Sequence, residues 1–191
     1  MEQAFSFVSG HAGLDLVGTV GRWHRPEQFE RLTSPERLGA WIREAGLLDE
    51  APALDAEGLT ATLTLRAVIY RLALARIEHR PADPADLDAL NATAAAPPVT
   101  VALRATGPTA RTGDLAQVRA TIARQTVELL GGPDADRMKL CGDHKCTRMY
   151  LDTSRRGDRR WCDMRDCGNR AKATAYRRRQ GKSQTGATPN V

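Results

Sequence analysis

The sequence predicts a mainly α protein: a helical N-terminal domain with a short β element, joined to a small C-terminal module built from a β-hairpin and a helix. Three observations carry this expectation. Apolar residues recur at helical spacing in several segments between residues 34 and 130, each opened by a favourable N-cap residue. An alternating, β-branched stretch at 99–104 interrupts them. All four cysteines and an excess of positive charge follow the break Gly131-Gly132-Pro133. The expected boundaries are 1–133 for the helical domain, 137–182 for the small module and 183–191 for an uncharged, frayed tail.

The elements follow in order. Leu14-Asp15-Leu16-Val17 reads equally as a short helix or a buried strand, because four residues carry no decisive period. Residues 34–45 form a helix: Ser34 caps it, Pro35 suits its first position, and Leu38, Trp41, Ile42 and Ala45 share one face. Gly46 stops it. Residues 55–79 read as a long central helix, with Leu59, Leu63, Ala67, Tyr70 and Leu74 in one apolar row. Arg66, Arg71, Arg76, Glu78 and Arg80 are expected on its wet side, and Pro81 ends it. Asp83-Pro84 opens a further helix carrying Leu87 and Leu90. A strand at 99–104 follows, with a second short strand after Gly107-Pro108. Asp114 caps the last large helix, whose inner face is Leu115, Val118, Ile122, Thr126 and Leu129.

Composition bounds the function. Hydrophobic residues at 41% allow a packed core, and aromatics at 5% leave the packing to Leu, Ala and Val. No run of some 18 apolar residues appears. The first residues, with Glu2 and no basic residue, do not read as a secretion signal, so a cytoplasmic setting without membrane insertion is expected. The net charge of +5 hides an asymmetry. Residues 1–136 hold 13 Lys/Arg and 18 Asp/Glu, a net of −5; residues 137–191 hold 15 and 5, a net of +10. An acidic body with a basic end points to a polyanionic partner for that end.

Cys141, Cys146, Cys162 and Cys167 stand as two C-x4-C pairs separated by fifteen residues. Reduced thiols in two close pairs favour one tetrahedral zinc site over a redox set or unrelated buried thiols. Residues 147–161 have room for two short strands, with Tyr150 and Trp161 as the mini-core. His144 is read as an exposed loop residue, because four cysteines already fill the sphere. A closed four-sulfur site supplies folding energy and leaves no position for activating water. Around it lie Arg155, Arg156, Arg159, Arg160, Arg170, Lys172, Arg177, Arg178 and Arg179, the candidate nucleic-acid contacts. Residues 167–180 read as a helix about 20 Å long that presents several of them and stops at Gly181.

These residues also carry a resemblance. Leu151-Asp152-Thr153-Ser154, Arg159-Arg160-Trp161-Cys162 and Cys167-Gly168-Asn169-Arg170-Ala171-Lys172 resemble the CGNR zinc finger. Gly10-His11, Leu14-Asp15-Leu16-Val17 with Thr19, and Trp41 with Ala45-Gly46-Leu47-Leu48 resemble the ABATE domain of stress-induced transcription regulators. The resemblance covers nearly the whole chain. It implies a DNA-binding regulator with zinc on the same four cysteines. One departure is Gly18, where the LDLVNT pattern has Asn. Gly168 allows a tight turn, Asn169 suits a helix cap or a bond to sulfur, and Arg170 suits either charge compensation or phosphate; the sequence does not separate these roles. Asp152 reads equally as an orienter of Arg159 or Arg160 and as a turn residue.

The expected function is a zinc-dependent, stress-responsive transcription regulator on double-stranded DNA. The alternative is an RNA-binding or ribosome-associated zinc protein, which the scarcity of aromatic platforms disfavours. An enzyme is not expected: His11 and Asp15, four apart, read as structural, and no nucleophile motif or phosphate-cradling glycine loop appears. A homodimer and a small-molecule effector of the N-terminal domain are compatible with a regulator, although no residue singles out either. Trp23, His24 and Arg25 read as an exposed loop in preference to a pocket wall.

Overall fold

The computed structural model describes residues 4–184; within the last helix the side chains of Arg178, Arg179 and residues 181–184 are not described. The N-terminal region runs α1 (Ala12–Val17), β1 (Val20–Gly21), β2 (Phe29–Glu30), α2 (Pro35–Glu44), α3 (Ala56–Ile77), α4 (Pro84–Ala95), β3 (Thr100–Leu103), β4 (Thr109–Thr112) and α5 (Leu115–Gly131). A short 3-10 turn at Ala135–Arg137 leads into β5 (Met138–Leu140), β6 (Met149–Leu151), a π-turn at Met164–Gly168 and α6 (Asn169–Gln184). Each sheet is a two-stranded antiparallel hairpin: β1 with β2, β3 with β4, β5 with β6.

The helix starts follow the local chemistry. Ser34, Asp55, Asp83 and Asp114 each accept a backbone N–H of the helix they open. Asp114 and Gln117 form a reciprocal capping box. Gly46 takes φ +66° just after α2, the left-handed turn that favours glycine. The ambiguous residues 14–17 are helical, because His11 caps them: its Nδ1 accepts the Gly13 amide at 3.1 Å.

α3 lies at the centre, against α1, α2, α4 and α5. By length and composition it is apolar enough to cross a membrane, but half of that stretch is buried inside the protein and it carries Arg66 and Arg71. One apolar cluster joins Leu14 and Leu16 of α1, Leu38, Trp41 and Ile42 of α2, Ile69 and Leu72 of α3, and Val118 and Ile122 of α5. The inner face expected for α5 is buried throughout. On α3 the deepest row is Leu65, Ile69, Leu72 and Ala73, whereas Leu59, Leu63 and Leu74 are only half-buried.

Four expectations are corrected. Arg66 is not on the wet side: it is 5% exposed, pairs through both nitrogens with the Glu30 carboxylate and donates to Thr19 Oγ1 at 2.7 Å. That ion pair pins β1–β2, a hairpin whose two-residue strands carry too little periodicity to be read from sequence. The strand at 149–151 does not pair within 147–161; it pairs with β5, ahead of the first cysteine, in the register Met138↔Leu151, Lys139↔Tyr150, Leu140↔Met149. Finally, α6 passes through Gly181 to Gln184, because its own hydrogen-bond ladder continues where a lone glycine only weakens it. The tail expected at 183–191 therefore begins inside this helix, and residues 185–191 lie outside those described.

Met138, Met149 and Leu151 belong to the helical core, although they follow the residue-133 break. Leu151 N–H donates to Ser9 O at 2.8 Å, and Arg148 Nη1 to Ser6 O at 3.1 Å. Met149 is completely buried. A Met149→Ala substitution is expected to cost about 2–5 kcal/mol, and denaturation followed through the helices and through the C-terminal module is expected to give one shared transition. Separate transitions would contradict a common core. His11 sets a second test. Its Nδ1 accepts, so its Nε2–H donates to Gln125 O at 3.0 Å, and the ring is neutral. Burial, opposed by the Gln125 carbonyl and Glu128, holds its pKa below 6.5. The unfolded state thus binds the extra proton, and stability falls as pH drops below roughly 6.5. In His11→Asn, which keeps a capping acceptor, the difference in melting temperature between pH 7 and pH 5.5 is expected to shrink relative to the wild type.

Candidate metal centre and basic surface

The β5–β6 hairpin carries Cys141 and Cys146 in its connection. The connection is held by Cys141 N–H to Arg148 O at 2.9 Å and Cys146 N–H to Asp143 O at 2.8 Å. Asp143 is buried and its Oδ1 also accepts the Lys145 amide. The second pair is delivered by the π-turn: Asp163 Oδ1 accepts Arg165 N–H, and Asp163 O accepts Gly168 N–H, both at 2.9 Å. A Cβ at Gly168 would lie 2.8 Å from Met164 Sδ and 3.3 Å from Trp161, so glycine leaves room for the exposed Met164 side chain to lie across the turn.

These loops bring all four sulfurs within 4.8 Å of one another. Cys146 Sγ and Cys162 Sγ are 3.8 Å apart, and Cys162 Sγ and Cys167 Sγ 3.7 Å. Sulfurs at 2.3 Å from a tetrahedral zinc are separated by about 3.8 Å, whereas a disulfide needs about 2.05 Å. The Cys162 amide donates to Cys141 Sγ at 3.4 Å. Hydrogen bonds from Cys146 and Cys162 pull the Cys141 thiol well below its ordinary range. Burial and the negative neighbours Cys146 and Cys141 push Cys167 up. One ionised sulfur thus opposes ionisation of the next, a conflict that a divalent cation removes. The residues fit zinc, which would be held by Cys141, Cys146, Cys162 and Cys167 and would tie the hairpin to the π-turn. His144 stays outside, its side chain 77% exposed beside Asp143.

A second, small cluster surrounds the sulfurs: Tyr150, with Trp161 packed against it. Tyr150 is fully buried and donates to Arg159 O at 2.6 Å; burial and the charge of Asp152 push its pKa up to about 12. Asp152 is also fully buried. It accepts Lys139 Nζ at 2.7 Å, Ser154 N–H at 2.9 Å, Ser154 Oγ at 2.6 Å and the Arg159 amide at 2.9 Å. Burial alone would raise its pKa, but those four donors win and hold it below the carboxylate range. Asp152 therefore organises the backbone of the loop at 153–159 and not the Arg159 or Arg160 guanidinium.

The basic residues divide into two groups. Arg159 faces inward: it donates to Trp161 O at 2.8 Å, to Val8 O at 3.2 Å and to Cys162 O, and lies over the Tyr150 ring. Arg170 bridges Asp143 and Asp166 at 2.5 Å each. Arg155, Arg156, Arg160, Lys172 and Arg177 are exposed and form no ion pair with a described carboxylate; Arg160 lies over Trp161. The expected contacts Arg178 and Arg179 lie outside the described side chains. Asn169 bonds Arg165 O and not sulfur. One residue that sequence reasoning missed completes the picture. Arg148, 12% exposed, donates to Ser6 O, Ser9 Oγ and Gly18 O. A Cβ at Gly18 would lie 2.3 Å from Arg148 Nη1, so glycine makes room for that guanidinium. The departure at Gly18 was the one available signal.

Metal removal should act locally. Chelation, or Cys162→Ser, is expected to change Trp161 and Tyr150 near-ultraviolet signals while most helical signal persists, because the helical core has its own apolar cluster. Metal analysis is expected to give one zinc per chain, and release to sharpen as pH falls and thiolates protonate. A stoichiometry of zero in folded protein would contradict the site.

Comparison with known families agrees with this architecture. A family model described as "Putative stress-induced transcription regulator", ABATE, matches residues 10–133, and the CGNR zinc finger model matches residues 137–180. No curated protein matches the chain. With a closed four-cysteine centre following a helical domain that is matched over more than half of its length, the chain belongs to the ABATE family and carries a CGNR zinc finger.

Proposed function

We propose that this protein is a zinc-dependent transcription regulator that docks on double-stranded DNA through its C-terminal module. The observation that supports the reading most is the loop at 153–160. It presents Arg155, Arg156 and Arg160 to solvent without carboxylate partners, on a backbone fixed by buried Asp152 and adjoining Cys162. Guanidinium groups carried on a fixed backbone suit phosphate oxygens and guanine edges. Lys172 and Arg177 on α6 extend the surface. Arg159 and Arg170 are assigned structural work instead. The role of zinc is to hold the loop and α6 in one array. The reading carries no catalytic step, because four sulfurs fill the coordination sphere. The cellular setting we assign is cytoplasmic, and a stress signal is the regulatory input in keeping with the family.

The test is salt-titrated binding to duplex DNA, with structured RNA at matched salt as the competitor. Wild-type protein is expected to show a steep log–log slope, and Arg155→Gln with Arg156→Gln to flatten it by roughly one unit per lost phosphate contact. Arg170→Gln is expected to lower stability before it changes the slope. Unchanged affinity in the double variant, or a preference for RNA, would sink the assignment.

A further inference from the structure

We propose that the recess between the N-terminal region and the zinc loop is a binding site for a small free anion of the phosphate or carboxylate class. The recess has a volume of about 220 Å³. Gly18, Phe29 and Arg31 line it from the N-terminal side and Lys145, Thr147 and Arg148 from the zinc loop; three of the zinc ligands, Cys146, Cys162 and Cys167, and the carboxylates of Asp163 and Asp166 line it as well.

Its chemistry is a surplus of positive charge held in place. Arg31 and Arg148 both donate to Gly18 O, each at 3.3 Å, so two guanidinium groups converge on one carbonyl. Arg31 Nε is buried and has no hydrogen-bond partner. Burial, and then the charge of Arg148, disfavour the charged form of Arg31. The nearby acids are engaged elsewhere. Glu30 is held bidentately by Arg66, and Asp166 by Arg170. Asp163 caps the π-turn, and Asp15 accepts the Ser9 amide, lying 3.8 Å from Arg148. Lys145 is exposed and forms no ion pair with a described carboxylate. Nor do the two arginines serve the sulfurs: the guanidinium of Arg148 points to Ser6, Ser9 and Gly18. Two converging like charges are a cost that a bound oxyanion offsets, and the outer nitrogens of a guanidinium fork match carboxylate or phosphate oxygens.

A free anion is favoured over the phosphate backbone of a duplex. The Arg31 Nε is buried and Arg148 is 12% exposed, so a rigid double helix is held away from both. The volume lies below the range of drug-sized pockets, which points to a small metabolite or inorganic ion. Because the walls come from both sides of the junction, occupancy strengthens their docking and so reaches the zinc module.

The experiment uses zinc-loaded full-length protein, titrated calorimetrically with sodium phosphate and sodium acetate at ionic strength matched with sodium chloride. Saturable binding of at least one probe is expected. Arg31→Gln is expected to weaken it by about tenfold or more, and Lys145→Gln, a surface change that leaves folding intact, by a few-fold. Arg43→Gln removes the same charge from exposed α2 and is expected to leave it unchanged. Selenate soaked into crystals is expected to give anomalous density within hydrogen-bond distance of Arg31. The proposal is overturned if the response equals that of chloride, if Arg31→Gln and Lys145→Gln both bind like wild type, or if selenate density lies only elsewhere. It is also overturned if a short duplex competes with phosphate for the site, since the recess would then be a backbone contact. None of these readouts depends on transcriptional activity.

Discussion

The two-residue period of the β5–β6 hairpin is the constraint on which the rest depends. Successive side chains of a strand point to opposite faces. Met138, Met149 and Leu151 are therefore turned into the helical core, while Tyr150 is turned toward the sulfurs. A slip of one residue would exchange those faces and dissolve both clusters together. The same hairpin carries the first cysteine pair in its connection, so the metal centre takes its orientation from the helical body.

Two kinds of polar group hold this joint in register. Asp152 gathers four donors from three directions and leaves none of its capacity to solvent. Arg148 reaches the other way and satisfies oxygens of Ser6, Ser9 and Gly18. Asp152 is a buried charge satisfied by its own hairpin and loop, and Arg148 a largely buried one satisfied by a segment distant in sequence; removing one partner from such a charge is costly. The exposed arginines at 155, 156 and 160 inherit their positions from this frame.

Much of the architecture was legible in the sequence. Caps at Ser34, Asp55, Asp83 and Asp114 are local chemistry, and each marked its helix start. The inner face of α5 followed from spacing alone. The four sulfurs were legible because metal ligation demands close pairs. What escaped was non-local. Arg66 reads as a surface cation until Glu30 and Thr19 are seen beside it. The strand at 149–151 was expected to pair within 147–161, and only packing against the core selects 138–140. The basic run read as one surface, although Arg159 and Arg170 face protein carbonyls and carboxylates that no spacing rule reveals.

The bonds from Leu151 N–H to Ser9 O and from Arg159 to Val8 O also set an order of assembly. Synthesis proceeds from the amino end, so Val8 and Ser9 leave the ribosome long before their partners exist. Residues 8 and 9 therefore find these hydrogen bonds only after the segment at 151–159 has been made. The carbonyl of Val8 thus shares the Arg159 guanidinium with Trp161 and Cys162, so the backbone beside the metal ligands and the backbone ahead of α1 lean on one side chain.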